Sequence, residues 1–502
     1  MVYVTDRTYS MLKGNPYLRQ WMFNPRIEVL AGIVVALALI PEAIGFSVVA
    51  GVPPEMGLYG SVVIACVIAF TGGRTAMISA ATASTAVLMG PIVREHGLQY
   101  LFAATILMGI FQIIAGILKL GRLMRFVSRS VLTGFVNALA ILIFLAQLPQ
   151  LVHVPPITYA LIALGLVIIY GFPRLTKAVP SPLVAIAVLT VICVVFGIHV
   201  RSIADLGKLP TSLPSFSLPH LPLTFETLSI IAPVAVTLAA VGLLETMLTA
   251  KIIDDVTDTP SGKSRECMGQ GVANMISPLF GGMGGCAMIG QSVINVSSGA
   301  RGRLSTLVAG VFLLILLVVL HRLLAIVPVA GLTAVMIMVS INTFSWRSLA
   351  GIRRVPWQSS VVMLATVVTV VATSDLSKGV IVGVLLSGIF FAGKVSRLVR
   401  ITSRISDDGK VREYVVKGQV FFASAEGFVD AIDVTEDVER IVVDVTDAHF
   451  WDISAIGAAD QLVLKARRHG REVTFVGLNA ASATMMEQHA VHHRDGAVAS
   501  LH

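Results

Sequence analysis

The chain has 502 residues, 55% of them hydrophobic and only 13% charged, with a mean hydropathy of +0.85. Soluble proteins carry roughly a quarter charged residues, so these numbers exclude an ordinary soluble domain and require a polytopic α-helical membrane protein. The net charge of +8 invites a nucleic-acid partner, but the placement of the charges excludes one.

The first 26 residues are polar and basic without an early apolar core, so no cleavable signal peptide is expected and 1–27 reads as a cytoplasmic tail. Between residues 28 and 393 the apolar runs approach the bilayer length of about 20 residues. They predict segments near 28–50, 57–70, 76–93, 100–118, 130–148, 157–172, 182–198, 228–250, 264–280, 287–297, 304–320, 326–343, 358–373 and 379–393. With the N-terminus inside, the cytoplasmic loops before Lys394 carry 19 Lys and Arg and the outer loops 5. That asymmetry fits fourteen spans in an inner membrane with both ends in the cytoplasm. The basic excess is therefore a topology signal.

The third and tenth segments break the pattern. Residues 70–85 read FTGGRTAMISAATAST and 280–295 read FGGMGGCAMIGQSVIN, both glycine-rich, both too short or too thin to span, and both containing Ala-Met-Ile. Short glycine-interrupted segments at matching places in two halves mark the substrate site of inverted-repeat transporters. Ten is three plus seven, which predicts a seven-plus-seven inverted repeat, with repeats at about 28–198 and 228–393 joined by the Pro/Ser-rich loop 199–227. Half-helices starting at mid-membrane point free N–H groups and a partial positive charge into a cavity, and small residues let an anion approach. The expected binding positions are Ile78, Ser79 and Ala80 on one side and Ile289, Gly290, Gln291 and Ser292 on the other, with Phe46 as a wall of the cavity.

Of 29 Asp and Glu, 16 lie after Lys394, and only Glu42 and Glu245 sit well inside apolar runs. A carboxylate at the bilayer centre costs at least about 2.5 kcal/mol on insertion scales, so it must face protein or water or hold a proton. Glu42 follows Pro41, and Glu245 shares a helix face with Thr237 and Thr249. Both are candidate proton-coupling residues. The scattered cysteines, Cys66, Cys193, Cys267 and Cys286, have no metal-ligand spacing and read as small apolar fillers. SGKS at 261–264 lacks the glycine a phosphate loop needs at 257, where Thr stands, and His489, His492 and His493 read as a loose tail. No catalytic residues, metal site or cofactor are expected.

After Lys394 the composition becomes ordinary. Residues 394–410 read as a basic linker, and 411–502 as a small α/β domain of β-α-β-α-β order, from the strands YVVKGQVFFAS, RIVVDV and EVTFVGL and the amphipathic helix ISAIGAADQLVLKARRHG.

IPEAIGFSVVAGVPPEMGLYGS and QGVANMISPLFGGMGGCAMIGQSVINVSSGARG resemble the two signatures of the sulfate permease (solute carrier 26) anion transporters. GQVFFASAEGF, VVDVTDAHFWDISAIG and VTFVGLN resemble their cytoplasmic STAS domain. The resemblance implies a core domain moving against a gate domain, a homodimer, discontinuous third and tenth helices, and a small anion held between them. Bacterial members of the family are commonly proton symporters, and others exchange anions. Two positions depart: Glu42 stands where the family usually has Gln, and Gln291 where it usually has Arg. A lost positive charge and an added acid disfavour a lone dianion such as sulfate and favour a substrate arriving with protons, such as a dicarboxylate. Exchange, uncoupled conduction and membrane sensing through the STAS domain remain alternatives. Asp452 and Ser454 fall where some STAS domains carry a phosphorylatable loop, with Ser454 expected instead as a helix N-cap.

Overall fold

The computed structural model describes residues 16–21, 24–121, 127–175, 180–206, 213–222, 224–373, 375–407 and 409–492, so His493 lies outside the described residues. Two compact units divide at Val384/Leu385.

In the first unit each of the predicted segments contains a helix: α1 (Pro25–Ala50), α2 (Pro54–Thr71), α3 (Ala83–His96), α4 (Leu98–Ile117), α5 (Arg129–Leu145), α6 (Pro156–Gly171), α7 (Ser181–Val195), α8 (Phe225–Thr257), α9 (Lys263–Leu279), α10 (Ile289–Ser297), α11 (Leu304–Ala325), α12 (Val329–Thr343), α13 (Trp357–Thr373) and α14 (Leu376–Ser396). Among the described residues, eight stretches, those of α1, α2, α4, α5, α6, α8, α11 and α14, are long and apolar enough to cross a membrane by themselves, and α7, α12 and α13 are shorter apolar helices. Local chemistry sets the ends. Asn24 caps α1 by accepting from Ile27 N at 3.4 Å, Pro25 occupies its first position, and Gly51 closes it at φ 69°.

Packing sorts these helices into two groups. α1–α4 pack with one another and with α8–α11, whereas α5 packs against α12 and α13, and α6 against α7 and α12. The groups touch where α1 meets α7 and α12, and an apolar cavity of about 440 Å³ lies beside that contact, lined by Pro41 and Ile44 of α1, Ile186 of α7 and Leu332 of α12.

Two three-residue strands lie at the centre, β1 (Ser79–Ala81) before α3 and β2 (Gly285–Ala287) before α10. They pair antiparallel, Ser79 with Ala287, Ala80 with Cys286 and Ala81 with Gly285. The pairing corrects the expected starts: residues 78–81 are not the beginning of a half-helix, because β1 intervenes and the helix opens at Ala83. The repeated Ala-Met-Ile is out of register, since it precedes β1 but runs through the end of β2 into α10. Gly285 is forced: a Cβ there would lie 1.9 Å from Ala80 O.

The second unit continues from α14 into a four-stranded sheet of order β3 (Arg400–Ile405), β4 (Val411–Val420), β5 (Arg440–Phe450), β6 (Glu472–Val476), with α15 (Ala425–Asp430), α16 (Ile453–Arg468) and α17 (Ala480–His489). β4, β5 and β6 run parallel, as the β-α-β reading requires, and bury Val416, Ile441, Val443 and Phe450 against Phe428, Ile456 and Leu462. The 394–410 linker is a correction: β3 pairs antiparallel with β4, from Arg400 opposite Lys417 to Ile405 opposite Arg412. Its basic, exposed residues made it read as a tether, but they are what an unpaired sheet edge carries. The helix α17 was also missed. His492 is buried rather than part of a loose tail, with Nδ1 2.5 Å from Asp460 Oδ1 on α16.

Candidate functional site

Each broken helix has free backbone donors at its start. Thr82 and Met288, the cap residues of α3 and α10, make no side-chain cap. The first intrahelical bonds are Ala86 N to Thr82 O at 3.0 Å and Ser292 N to Met288 O at 3.1 Å. The N–H groups of Ala83, Ser84 and Thr85, and of Ile289, Gly290 and Gln291, therefore have no intrahelical acceptor. Gly290 is exposed, and a Cβ added there would meet nothing within 4 Å, so this start is open.

The crossing is braced by side chains from both halves. Asn274 of α9 clamps Gly285, donating Nδ2 to its carbonyl at 3.0 Å and accepting its N–H at 2.9 Å, while Gln270 donates to the same carbonyl at 3.1 Å. Ser61 of α2 accepts from Ala81 N at 3.3 Å. Ser292 Oγ accepts from Ile78 N at 2.9 Å, and Met288 N donates to Ile78 O at 2.9 Å. Thr246 of α8 accepts from Ala287 N at 3.2 Å.

The two acids of the sequence reading lie at this crossing. Glu245 Oε2 accepts from Ser84 Oγ, at the second position of α3, and from Cys286 Sγ at 3.0 Å. Thr249, one turn on, donates to Glu245 O at 2.8 Å and to Ala287 O at 3.3 Å, but Thr237 takes no part. Glu42 of α1 is reached by the Gln291 side chain at the start of α10. Each acid therefore engages the broken helix of the opposite half.

Among the other expected positions, Ile78, Ser79 and Ala80 are fully buried in or beside β1, and Phe46 is 2% exposed within α1. Ser79 Oγ is buried and finds no hydrogen-bond partner among the described residues. Gln291 and Ser292 are buried, and Ile289 is half-buried. Among the described residues no group of three metal-ligating side chains occurs. Ser84, Thr82 and Cys286 were missed by the sequence reading. The hydroxyl run TAST directly after the glycine-rich stretch was the available signal.

Two further buried acids are structural braces. Glu28 of α1 accepts from the N–H groups of Arg301, Gly302 and Ser305 at 2.7, 2.8 and 3.0 Å. Glu266 of α9 accepts from Gly73 N and Arg74 N at 2.6 and 2.8 Å. In SGKS, Lys263 pairs with Asp254 at 2.7 Å, which fixes that motif as a helix start. In the second unit Asp452, not Ser454, is the cap of α16: its Oδ1 accepts from Ala455 N at 3.0 Å and its Oδ2 from Phe422 N at 2.9 Å. Ser454 is exposed in the first turn.

A helical bundle with two interrupted helices meeting at its centre and acids beside their starts is the architecture of a secondary transporter. The sequence matches the Sulfate permease family over residues 26–161 and 152–366 and the STAS domain over 404–495. The chain belongs to the Sulfate permease family: it is an integral membrane transporter with a C-terminal STAS domain, not an enzyme. It is 57% identical to the "Putative sulfate transporter YbaR" of Bacillus subtilis, over 94% of this chain and 98% of that one. It is 27% identical to the bicarbonate transporter BicA of Picosynechococcus, over 93% and 91% of the two chains. The solved transmembrane domain of a cyanobacterial BicA superposes with a TM-score of 0.64 at 27% identity, covering 72% of this chain and 97% of that one. The murine Slc26a9 anion transporter in its inward-facing state shares the fold, with a TM-score of 0.79 at 16% identity over 97% and 95% of the chains.

Proposed function

We propose that this protein carries a small anion together with protons by alternating access, as fourteen spans in a homodimer within the cell inner membrane, both termini cytoplasmic. The observation that carries the reading is Glu245, whose carboxylate is bonded to Ser84 at the very start of α3. A proton acceptor and a set of free backbone donors thus share one place.

The anion would lie between the starts of α3 and α10, on the N–H groups of Ala83, Ser84 and Thr85 and of Ile289, Gly290 and Gln291, with Ser79 Oγ as a further donor. Each helix start offers about half a positive charge. No Lys or Arg is needed, and the charge of a bound dianion is then only partly met. A proton on Glu245, and a second on Glu42 beside Gln291, would supply the balance. Opening of the interface between the two helix groups, where the apolar cavity lies, would expose this centre to alternate sides. Among anions, the sulfate and bicarbonate named for the relatives favour an inorganic substrate, whereas Glu42 and Gln291 favour a dicarboxylate.

Uptake into proteoliposomes tests the reading, with sulfate, bicarbonate and fumarate offered under an inward proton gradient. One anion should accumulate only with the gradient, and Glu245→Gln should abolish that accumulation. Transport indifferent to pH and unchanged in Glu245→Gln sinks proton coupling and leaves anion exchange as the function.

A further inference from the structure

Cys286 is a fully buried thiol that the transport reading does not use, and its surroundings are not those of an apolar filler. Its Sγ lies 3.0 Å from Glu245 Oε2, 3.1 Å from Thr82 Oγ1 and 3.6 Å from Ser84 Oγ. The Thr82 hydroxyl in turn lies 3.3 Å from Ser84 Oγ and 3.0 Å from Thr85 Oγ1, and Thr85 reaches Gly284 O at 3.4 Å. One carboxylate oxygen, one thiol and three hydroxyls form a closed set, and three of its members are the cap and first turn of α3.

We propose that Cys286 is a positioning residue for proton coupling: its thiol, with Ser84 and Thr82, forms a hydrogen-bond relay that carries the protonation state of Glu245 to the start of α3. The proposal rests on Glu245 being the coupling acid. With the carboxylate ionised, Ser84 O–H and Cys286 S–H both donate to Oε2. A proton arriving on Oε2 makes that oxygen a donor to one of its two former partners and leaves it a weaker acceptor for the other. The partner that now accepts must turn its own hydrogen elsewhere, and Thr82 Oγ1 is the acceptor within reach of both Ser84 and Cys286. Thr82 precedes the first free N–H of α3, so the exchange rearranges the hydroxyls around the anion site while the net proton count changes by one, on Glu245 alone.

Among the described residues, no charged side chain of the helices packed against Glu245 bonds to it. Arg94, Glu95 and His96 lie at the far end of α3, and α4 and α10 carry no charged side chains. On α9, Lys263 pairs with Asp254 of α8, Glu266 is tied to Gly73 and Arg74, and Arg265 reaches Thr71 O and Phe70 O. Lys251 and Asp255 of α8 are exposed, and Glu226 stands at the helix start. Glu42, on α1, faces the other broken helix.

The test is the pH profile of gradient-driven uptake in proteoliposomes. Cys286→Ala removes a donor to the ionised carboxylate, which favours the protonated form. The pH of half-maximal uptake should rise by about half to one unit, the size expected for one such hydrogen bond. Cys286→Ser keeps a donor and should restore most of the wild-type position. Equal profiles for Cys286→Ala and Cys286→Ser overturn the relay, because both then report packing. So does a wild-type profile in Cys286→Ala when Glu245→Gln has lost gradient-driven accumulation. An unaltered profile in Glu245→Gln overturns instead the assignment of the coupling acid, and the relay with it.

Discussion

The two broken helices occupy equivalent places yet are chemically unlike. The start of α3 is enclosed: Thr82, Ser84 and Thr85 are buried and bonded to one another, to Cys286 and to Glu245. The start of α10 is open: Gly290 is exposed, and only the Gln291 side chain reaches an acid, Glu42. The backbone crossing is thus shared by two starts with different side-chain surroundings. On the proposed function, the closed end would take the proton and the open end would admit and release the anion.

The largest expected effect breaks the comparison at the backbone. Gly285→Ala places a Cβ against Ala80 O and should destabilise the crossing by about 3 kcal/mol or more, read as loss of monodisperse protein in detergent. Gly290→Ala, in open space within a helix, should leave stability unchanged or raise it by about 1 kcal/mol at most, read as an unchanged or higher thermal midpoint. Equal losses in the two variants would remove the distinction between a closed and an open end.

The acids come next. Glu245→Gln should lose gradient-driven accumulation outright in vesicle uptake, whereas Glu42→Gln, at the open end, should retain part of it. Identical phenotypes would mean the acids act as an equivalent pair.

The donors to those acids sharpen the point further. Ser84→Ala should move the pH of half-maximal uptake upward by about one unit, because it removes a bond to a charged acceptor. Gln291→Ala should leave that pH within about 0.3 unit, since one neutral bond to a second acid is a smaller term, and should instead raise KM.

The smallest effect sets a baseline away from both helices. Asp452→Ala removes the cap of α16 and should cost the STAS unfolding transition about 1 kcal/mol by scanning calorimetry of the full chain. Ser454→Ala should cost less than about 0.5 kcal/mol, and neither should alter uptake.

Much of this was legible in the residues. Apolar runs located the helices α1 to α14, because a segment in lipid must satisfy its own backbone bonds. The isolation of Glu42 and Glu245 in apolar sequence marked both acids for the same reason. The edge strand Arg400–Ile405 was not legible, because its exposed basic side chains look alike in a tether and at a sheet edge. The cap of α16 was misassigned by two residues, since Asp452 and Ser454 are both good cap formers and only the extended backbone at Asp452 selects between them.

The sequence by itself determined the membrane class, the two glycine-rich stretches and the two candidate acids, because hydropathy and glycine content act locally along the chain. Only the tertiary structure decided that α3 opens at Ala83 after a strand, and that Glu245 meets Ser84, 161 residues away, and Cys286, 41 residues away. Those facts depend on β1 and β2 pairing across the molecule. A hydrogen bond between segments so far apart leaves no periodicity in the chain to be read.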